Sequence, residues 1–242
     1  MRAISIIYRR ELGTYLRSPF GWVIASVLLL LFGLLFQGYA LGGAEALSAT
    51  VLERFFYVAS GIPLVGGILL SFRLLSEERQ NHSMVLLNTS PIRDADIVMG
   101  KFLAALTFFA IVLLLSLYMP ILIKVNGKIT AAQVLVGYFG LLLVGATTLA
   151  IGLFASALTR QQLIAAVVAA ALVTLMCFIH LLATKLDPPL KDVFEQIDLW
   201  WVHWQYGFQK GILNLKDVIY YVAVTYFFLL LSIKTLEAKR WQ

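Results

Sequence analysis

Six long apolar runs decide what this chain can fold into: Phe20 to Leu41, Phe55 to Leu75, Phe102 to Ile123, Val134 to Leu158, Leu163 to Thr184 and Val218 to Ile233. A helix needs about 20 mostly apolar residues to cross the hydrocarbon core of a bilayer. Lipid offers no hydrogen-bond partners, so a spanning segment must satisfy its own backbone, which a helix does. Composition agrees, with 61% hydrophobic and 13% charged residues, where soluble domains carry about 25% charged. The expected fold class is an all-α membrane protein, one transmembrane domain over residues 1–242 with six transmembrane helices and no separate soluble domain. The sixth run is the shortest; Asp217 and Lys234 flank it, and Lys234 can snorkel to the surface.

Charge placement orients the spans. With the N-terminus inside, most of the 19 Lys and Arg residues fall on the cytoplasmic side, and Arg54 is the lone arginine outside. Both termini are therefore expected in the cytoplasm. Apart from Arg73, no Asp, Glu, Lys or Arg lies within the six runs, which disfavours a proton relay or ion-coupled pump. The net charge of +6 is spread over the loops and implies no nucleic-acid partner.

Residues 1–18 are too polar to cross. Ile4, Ile7, Tyr8, Leu12, Tyr15 and Leu16 share one side of a helix and Arg2, Arg9, Arg10 and Arg17 the other, with Ile6 and Glu11 breaking the pattern. This spacing predicts an interfacial helix on the inner leaflet. Ser18-Pro19 then turns the chain into the first span. The run from Phe20 is too long for the core of a cleaved signal peptide. In the second span, Gly61, Pro63, Gly66 and Gly67 predict a kink and close packing on a neighbour, or a hinge or pathway lining.

Residues 76–91 form the conspicuous charged stretch. Glu77 and Glu78 suit a helix N-terminus, Met84, Leu86 and Leu87 give an apolar edge, and Asn88 to Pro91 is a turn signal. Asp94 and Asp96 open the next helix. Residues 185–217 hold Trp200, Trp201, Trp204, Tyr206 and Phe208, as an aromatic belt at the water interface does. Cys177 and His180 share one face of the fifth span but are too few for a metal site, and His203 and His82 read as solvent or interface residues.

Ser76-Glu77-Glu78-Arg79, Leu86-Leu87, Thr89-Ser90-Pro91 and Ile97-Val98-Met99-Gly100-Lys101-Phe102 together resemble the cytoplasmic loop of ABC-2 type transporter permeases. Gly152 to Arg160 is similar to that family's fourth-span ending. Gly207-Phe208, Gly211-Ile212, Leu215 to Val218, Leu236-Glu237 and Arg240-Trp241 are similar to its C-terminal region, above all in the gliding-motility and copper-enzyme-maturation branches. The family usually has Gly-Thr where this chain has His82-Ser83.

The resemblance implies that residues 76–91 are a coupling helix set into a cleft of a separate ATPase, with Glu77, Glu78, Arg79, His82, Met84, Leu86 and Leu87 at the contact. It implies two ATPase subunits that bind ATP and Mg, and a second permease, identical or homologous. Trp200, Trp201 and Trp204 would belong to short outer re-entrant helices that gate the exit. The implied function is a permease subunit of an exporter in the bacterial inner membrane. The alternative is an ATP-driven scaffold that acts on envelope machinery through an outer partner and moves no solute. The pairs Gly100-Lys101 and Gly127-Lys128 lack the remaining P-loop residues, and there is no Ser-His-Asp or His-Glu-x-x-His pattern. The chain is thus expected to be non-catalytic, with no cofactor and no metal of its own.

Overall fold

The computed structural model describes residues 2–41, 47–80 and 92–240. Of the candidate contact residues, His82, Met84, Leu86 and Leu87 lie outside the described residues. Helix α1 (Arg2–Arg17) precedes the first span, α2 (Pro19–Leu35), which a π-helical turn (Phe36–Ala40) extends. The second span joins α3 (Ser48–Ala59) to α4 (Gly61–Ser71) and ends in α5 (Ser76–Gln80). The third is α6 (Asp94–Ser116) with α7 (Tyr118–Asn126); the fourth is α8 (Ala131–Leu158) and the fifth α9 (Gln162–Ala183). A short helix α10 (Leu190–Ile197) and a 3₁₀ turn (Phe208–Lys210) then lead to the sixth span, α11 (Leu215–Arg240). Among the described residues, six helices are thus long and apolar enough to cross a membrane. The sixth is longer than its apolar run, extending from Leu215 to Lys239.

Local chemistry sets the helix starts. The Ser18 hydroxyl accepts from the Gly21 N–H at 3.3 Å, and Pro19 takes the first helical position, where a missing N–H costs nothing. Thr130 and Gln133 form a reciprocal capping box at the start of α8.

The fourth span is the hub. In its most apolar window 72% of residues are buried, against 22% for the sixth span, and α8 touches the second, third, fifth and sixth spans. Lipid gives helices no hydrophobic reason to associate, so close packing of small residues must supply the attraction. Along α4 and α8 those residues meet in register. The Thr148 hydroxyl fits against Gly67 and donates to the Pro63 carbonyl at 2.9 Å. One turn on, Gly152 receives the Ser71 hydroxyl, and one turn further Ser156 meets the chain at Leu75 and Ser76. A β-carbon at either Gly67 or Gly152 would overlap its partner's hydroxyl.

The helix is interrupted where the sequence predicts a kink. Helix geometry breaks at Ser60, between α3 and α4, because Pro63 has no N–H to give the Ala59 carbonyl and its ring crowds that group. Gly66 lies against Leu28 and Phe109, so Pro63, Gly66 and Gly67 are buried at helix contacts.

Helix α1 is held by protein along its apolar side: Ile7 and Tyr15 are buried, and α1 runs along α6. Gly100 makes this possible, since a side chain there would strike Ile7 and the Ile4 carbonyl. Tyr15 stacks on Phe108 with 5.1 Å between ring centres and donates to the Leu70 carbonyl at 2.6 Å. Ile6, one of the residues that broke the sequence pattern, points outward and is 68% exposed.

These contacts predict that Gly67→Ala lowers stability by about 1–3 kcal/mol through overpacking. Gly13→Ala, at an open position in α1, should be neutral or slightly stabilising because Ala is the better helix former. Thermal unfolding of the two variants in detergent checks this; equal melting temperatures would remove the role given to the Gly67–Thr148 contact.

Candidate functional site

Helix α5, the described part of the charged stretch, is held from two sides. On one side the Ser156 hydroxyl accepts from the N–H groups of Leu75 and Ser76 at 3.0 and 2.9 Å. It thereby satisfies donors that a helix start leaves without intrahelical partners. Arg79 donates to the Ala157 carbonyl, and Lys239 donates to the carbonyls of Ala157 and Leu158 at 3.1 and 2.7 Å. Two cations thus sit at the negative end of α8, where the last carbonyls lack helical partners.

On the other side is a four-charge cluster. The Lys101 ammonium, 2% exposed, lies 2.9 Å from Glu11 and 3.0 Å from Glu78. The Arg10 guanidinium closes the ring at 2.9 Å from Glu11 and 2.8 Å from Glu78. Two positive and two negative groups balance, which offsets the cost of removing them from water. Burial pushes the Glu11 carboxyl up, but the charge and hydrogen bonds of Lys101 and Arg10 outweigh it and hold it below the usual range. The cluster joins α1, α5 and α6.

The remaining charges of this stretch are also engaged within the chain. Glu77 pairs with Arg73 at 3.0 Å, and the Arg73 guanidinium lies 4.1 Å from the centre of the Phe20 ring. Each of Glu77, Glu78 and Arg79 therefore has an internal partner. Glu78 is 8% exposed, so it holds the protein together whatever else it touches. Glu11 and Lys101 were not candidates from sequence. The signal was Glu11's break in the α1 pattern, but nothing local named a partner 90 positions away.

At the opposite end of the bundle, residues 198–210 form a strap over the spans. Asp198, fully buried, accepts from the Val202 N–H at 2.7 Å, as Asp does in turns. Burial raises its carboxyl above the usual range. Trp200 donates to the Ser60 hydroxyl at 2.7 Å, reaching the kink of the second span. Trp201 stacks on His180, and fully buried Trp204 stacks on Phe208. The three tryptophans thus contact different parts of the fold.

His203 corrects the expectation of a solvent or interface residue. It is 1% exposed, 2.8 Å from Asp217, and stacked 3.8 Å from the Tyr220 ring. Its partner, Asp217, belongs in sequence to the polar flank of the sixth span and to the family-like stretch Leu215 to Val218. Cys177 is buried on the face it shares with His180, and no group able to hold a metal occurs among the described residues.

With this arrangement of spans and clamps in place, a family model described as ABC-2 family transporter protein matches residues 5–236. The chain belongs to the ABC-2 transporter family. Membership makes it a multi-pass transmembrane subunit of an ABC transporter and implies an ABC ATPase as its partner. A search of curated proteins finds no match. In this ABC-2 subunit, α5 is the described part of the charged stretch 76–91.

Replacing Lys101 with Met leaves Glu11 and Glu78 as buried carboxylates without their central cation, at a cost of about 3–5 kcal/mol. Combining it with Glu11→Gln and Glu78→Gln should recover most of that loss, and a triple variant no more stable than the single one would contradict the cluster's role. The Glu11 contribution is fully present above about pH 4.3, the ordinary Glu value, and declines as pH falls through its depressed folded-state value. Acid titration of detergent-solubilised wild type and Glu11→Gln should therefore converge in stability at low pH.

Proposed function

We propose that this chain is the permease subunit of an ABC-2 exporter, working with two ATPase chains that bind ATP and Mg and with a second permease, identical or homologous. The α1 end and both termini face the cytoplasm of a bacterial inner membrane, a reading supported by the Lys and Arg bias. The observation that carries the proposal is the double attachment of α5. Ser156 and Arg79 fasten it to α8, while Glu78 fastens it to α1 and α6 through Lys101. A push on this segment is delivered to three helices together.

In this mechanism His82, Met84, Leu86 and Leu87 provide the ATPase contact, and Glu77, Glu78 and Arg79 root the segment that carries it. ATP favours the closed ATPase pair, and its preferential binding shifts the permeases between two helix packings. Gly61, Pro63, Gly66 and Gly67 supply the hinge, and the strap with Trp200, Trp201 and Trp204 is the exit gate. The Trp200–Ser60 hydrogen bond supports this pairing of gate and hinge.

Leu86→Asp with Leu87→Asp should reduce ATPase co-purification by about tenfold or more, through loss of an apolar anchor, without lowering the permease's own melting temperature. Unchanged capture would overturn the docking assignment. Independently, in a Cys177→Ala background, Ser83→Cys should react with an impermeant thiol reagent from the cytoplasmic side and Gln196→Cys from the other. Reaction of both from one side would refute the topology.

A further inference from the structure

Two adjoining open cavities, of roughly 220 and 320 Å³, lie at the end of the bundle opposite α1. Glu53 and Gln209 line both. Tyr39, Tyr57 and Arg54 complete the first, and Gln133 and Lys210 the second. The π-helical turn at Phe36–Ala40 displaces the helix face by its extra residue and sets Tyr39 over Tyr57, with ring centres 6.2 Å apart.

The opposite wall is equally fixed. Phe208 packs where Gly140 has no side chain, and Gly211 turns back against Gln133 with φ +74, a conformation that suits glycine. This seats Gln209 and Lys210 at the rim.

The charges lining the cavities, Glu53, Arg54 and Lys210, form no ion pair among the described residues. Lys210 lies 6.0 Å from the centre of the Tyr206 ring. The Gln209 side-chain oxygen is buried without a hydrogen-bond partner, a condition that ordinarily costs free energy. The Glu53 carboxylate thus lines both cavities beside two cations, a combination that complements a ligand carrying both N–H donors and an anionic group. Tyr39, Tyr57 and Trp200 are of the residue types that sit at headgroup level.

We propose that these cavities bind the phosphoethanolamine headgroup of a lipid in the adjoining leaflet. Its ammonium, with three N–H donors, serves Glu53, and its cationic charge suits the tyrosine faces. Its phosphate meets Arg54 and Lys210. A choline headgroup brings no donor for Glu53, and a glycerol headgroup brings no cation for it. A sugar would leave all three charges unpaired. The proposal does not depend on the direction of transport.

The test uses the full chain in detergent, incubated with short-chain phosphatidylethanolamine, phosphatidylcholine or phosphatidylglycerol, with bound lipid read by native mass spectrometry. Phosphatidylethanolamine should be retained about tenfold more than the other two, the difference expected for a charge-assisted hydrogen-bonded contact. Glu53→Gln should abolish that preference, while Arg54→Gln should weaken all three lipids. Gln209→Met at the shared wall gives a second reading should Glu53→Gln fold poorly, and is expected to reduce the preference. Equal retention of the three lipids, or a preference untouched in a folded Glu53→Gln or Gln209→Met variant, would overturn the site. Soluble O-phosphoethanolamine that competes as well as the lipid itself would overturn the assignment to a membrane lipid.

Discussion

The close approach of α4 to α8 is the constraint on which the rest of the structure depends. Side chains there are small enough for hydroxyls and backbone to touch, through Thr148 at Gly67 and Pro63, then Ser71 at Gly152, then Ser156 at Ser76. In lipid, where burial of apolar surface gives helices little mutual attraction, such steric and hydrogen-bonded fit defines both distance and register. The register has consequences at either end. It brings Ser156 under the first turn of α5, and it fixes the kinked segment above Gly67.

Electrostatics extends that unit beyond the spans. A buried ion network need not stabilise a fold relative to an apolar replacement, but breaking it by removing one member is costly. The Lys101 cluster therefore acts as a strict requirement on geometry: α1 and α5 must both be seated for the lysine to have its carboxylates. Helix α1 becomes part of the packed protein, with Tyr15 bonded to the Leu70 carbonyl of α4. Three elements separated along the chain are made interdependent near one end of the bundle.

What the sequence revealed follows from the range of the signals. Apolar length marked all six spans, and Pro63 marked the kink, because both effects act within one helix. The apolar edge of α1 was legible too, but whether lipid or α6 would cover it was not, since both are apolar. The long-range pairs were hidden for the opposite reason. Glu11 and Lys101 each look like an isolated polar residue until α1 lies along α6, and His203 acquires Asp217 only when the strap folds back on α11. Of the charged stretch, residue types and the helix start could be read locally. The internal engagement of Glu77, Glu78 and Arg79 depends on carbonyls and charges brought in by other helices.

The hydrogen bond from Trp200 to Ser60 places an attachment point at the break between α3 and α4. Ser60 stands between two helices of 12 and 11 residues, α3 and α4, each about 17 Å long at 1.5 Å per residue. With lengths so nearly equal, a tilt of about 10° at the break would carry either helix end by about 3 Å. The strap, fastened beside the break and not at the tip, would be displaced little by that swing but would feel the full change in angle. A tilt between α3 and α4 would thus turn the strap's attachment while leaving it in place.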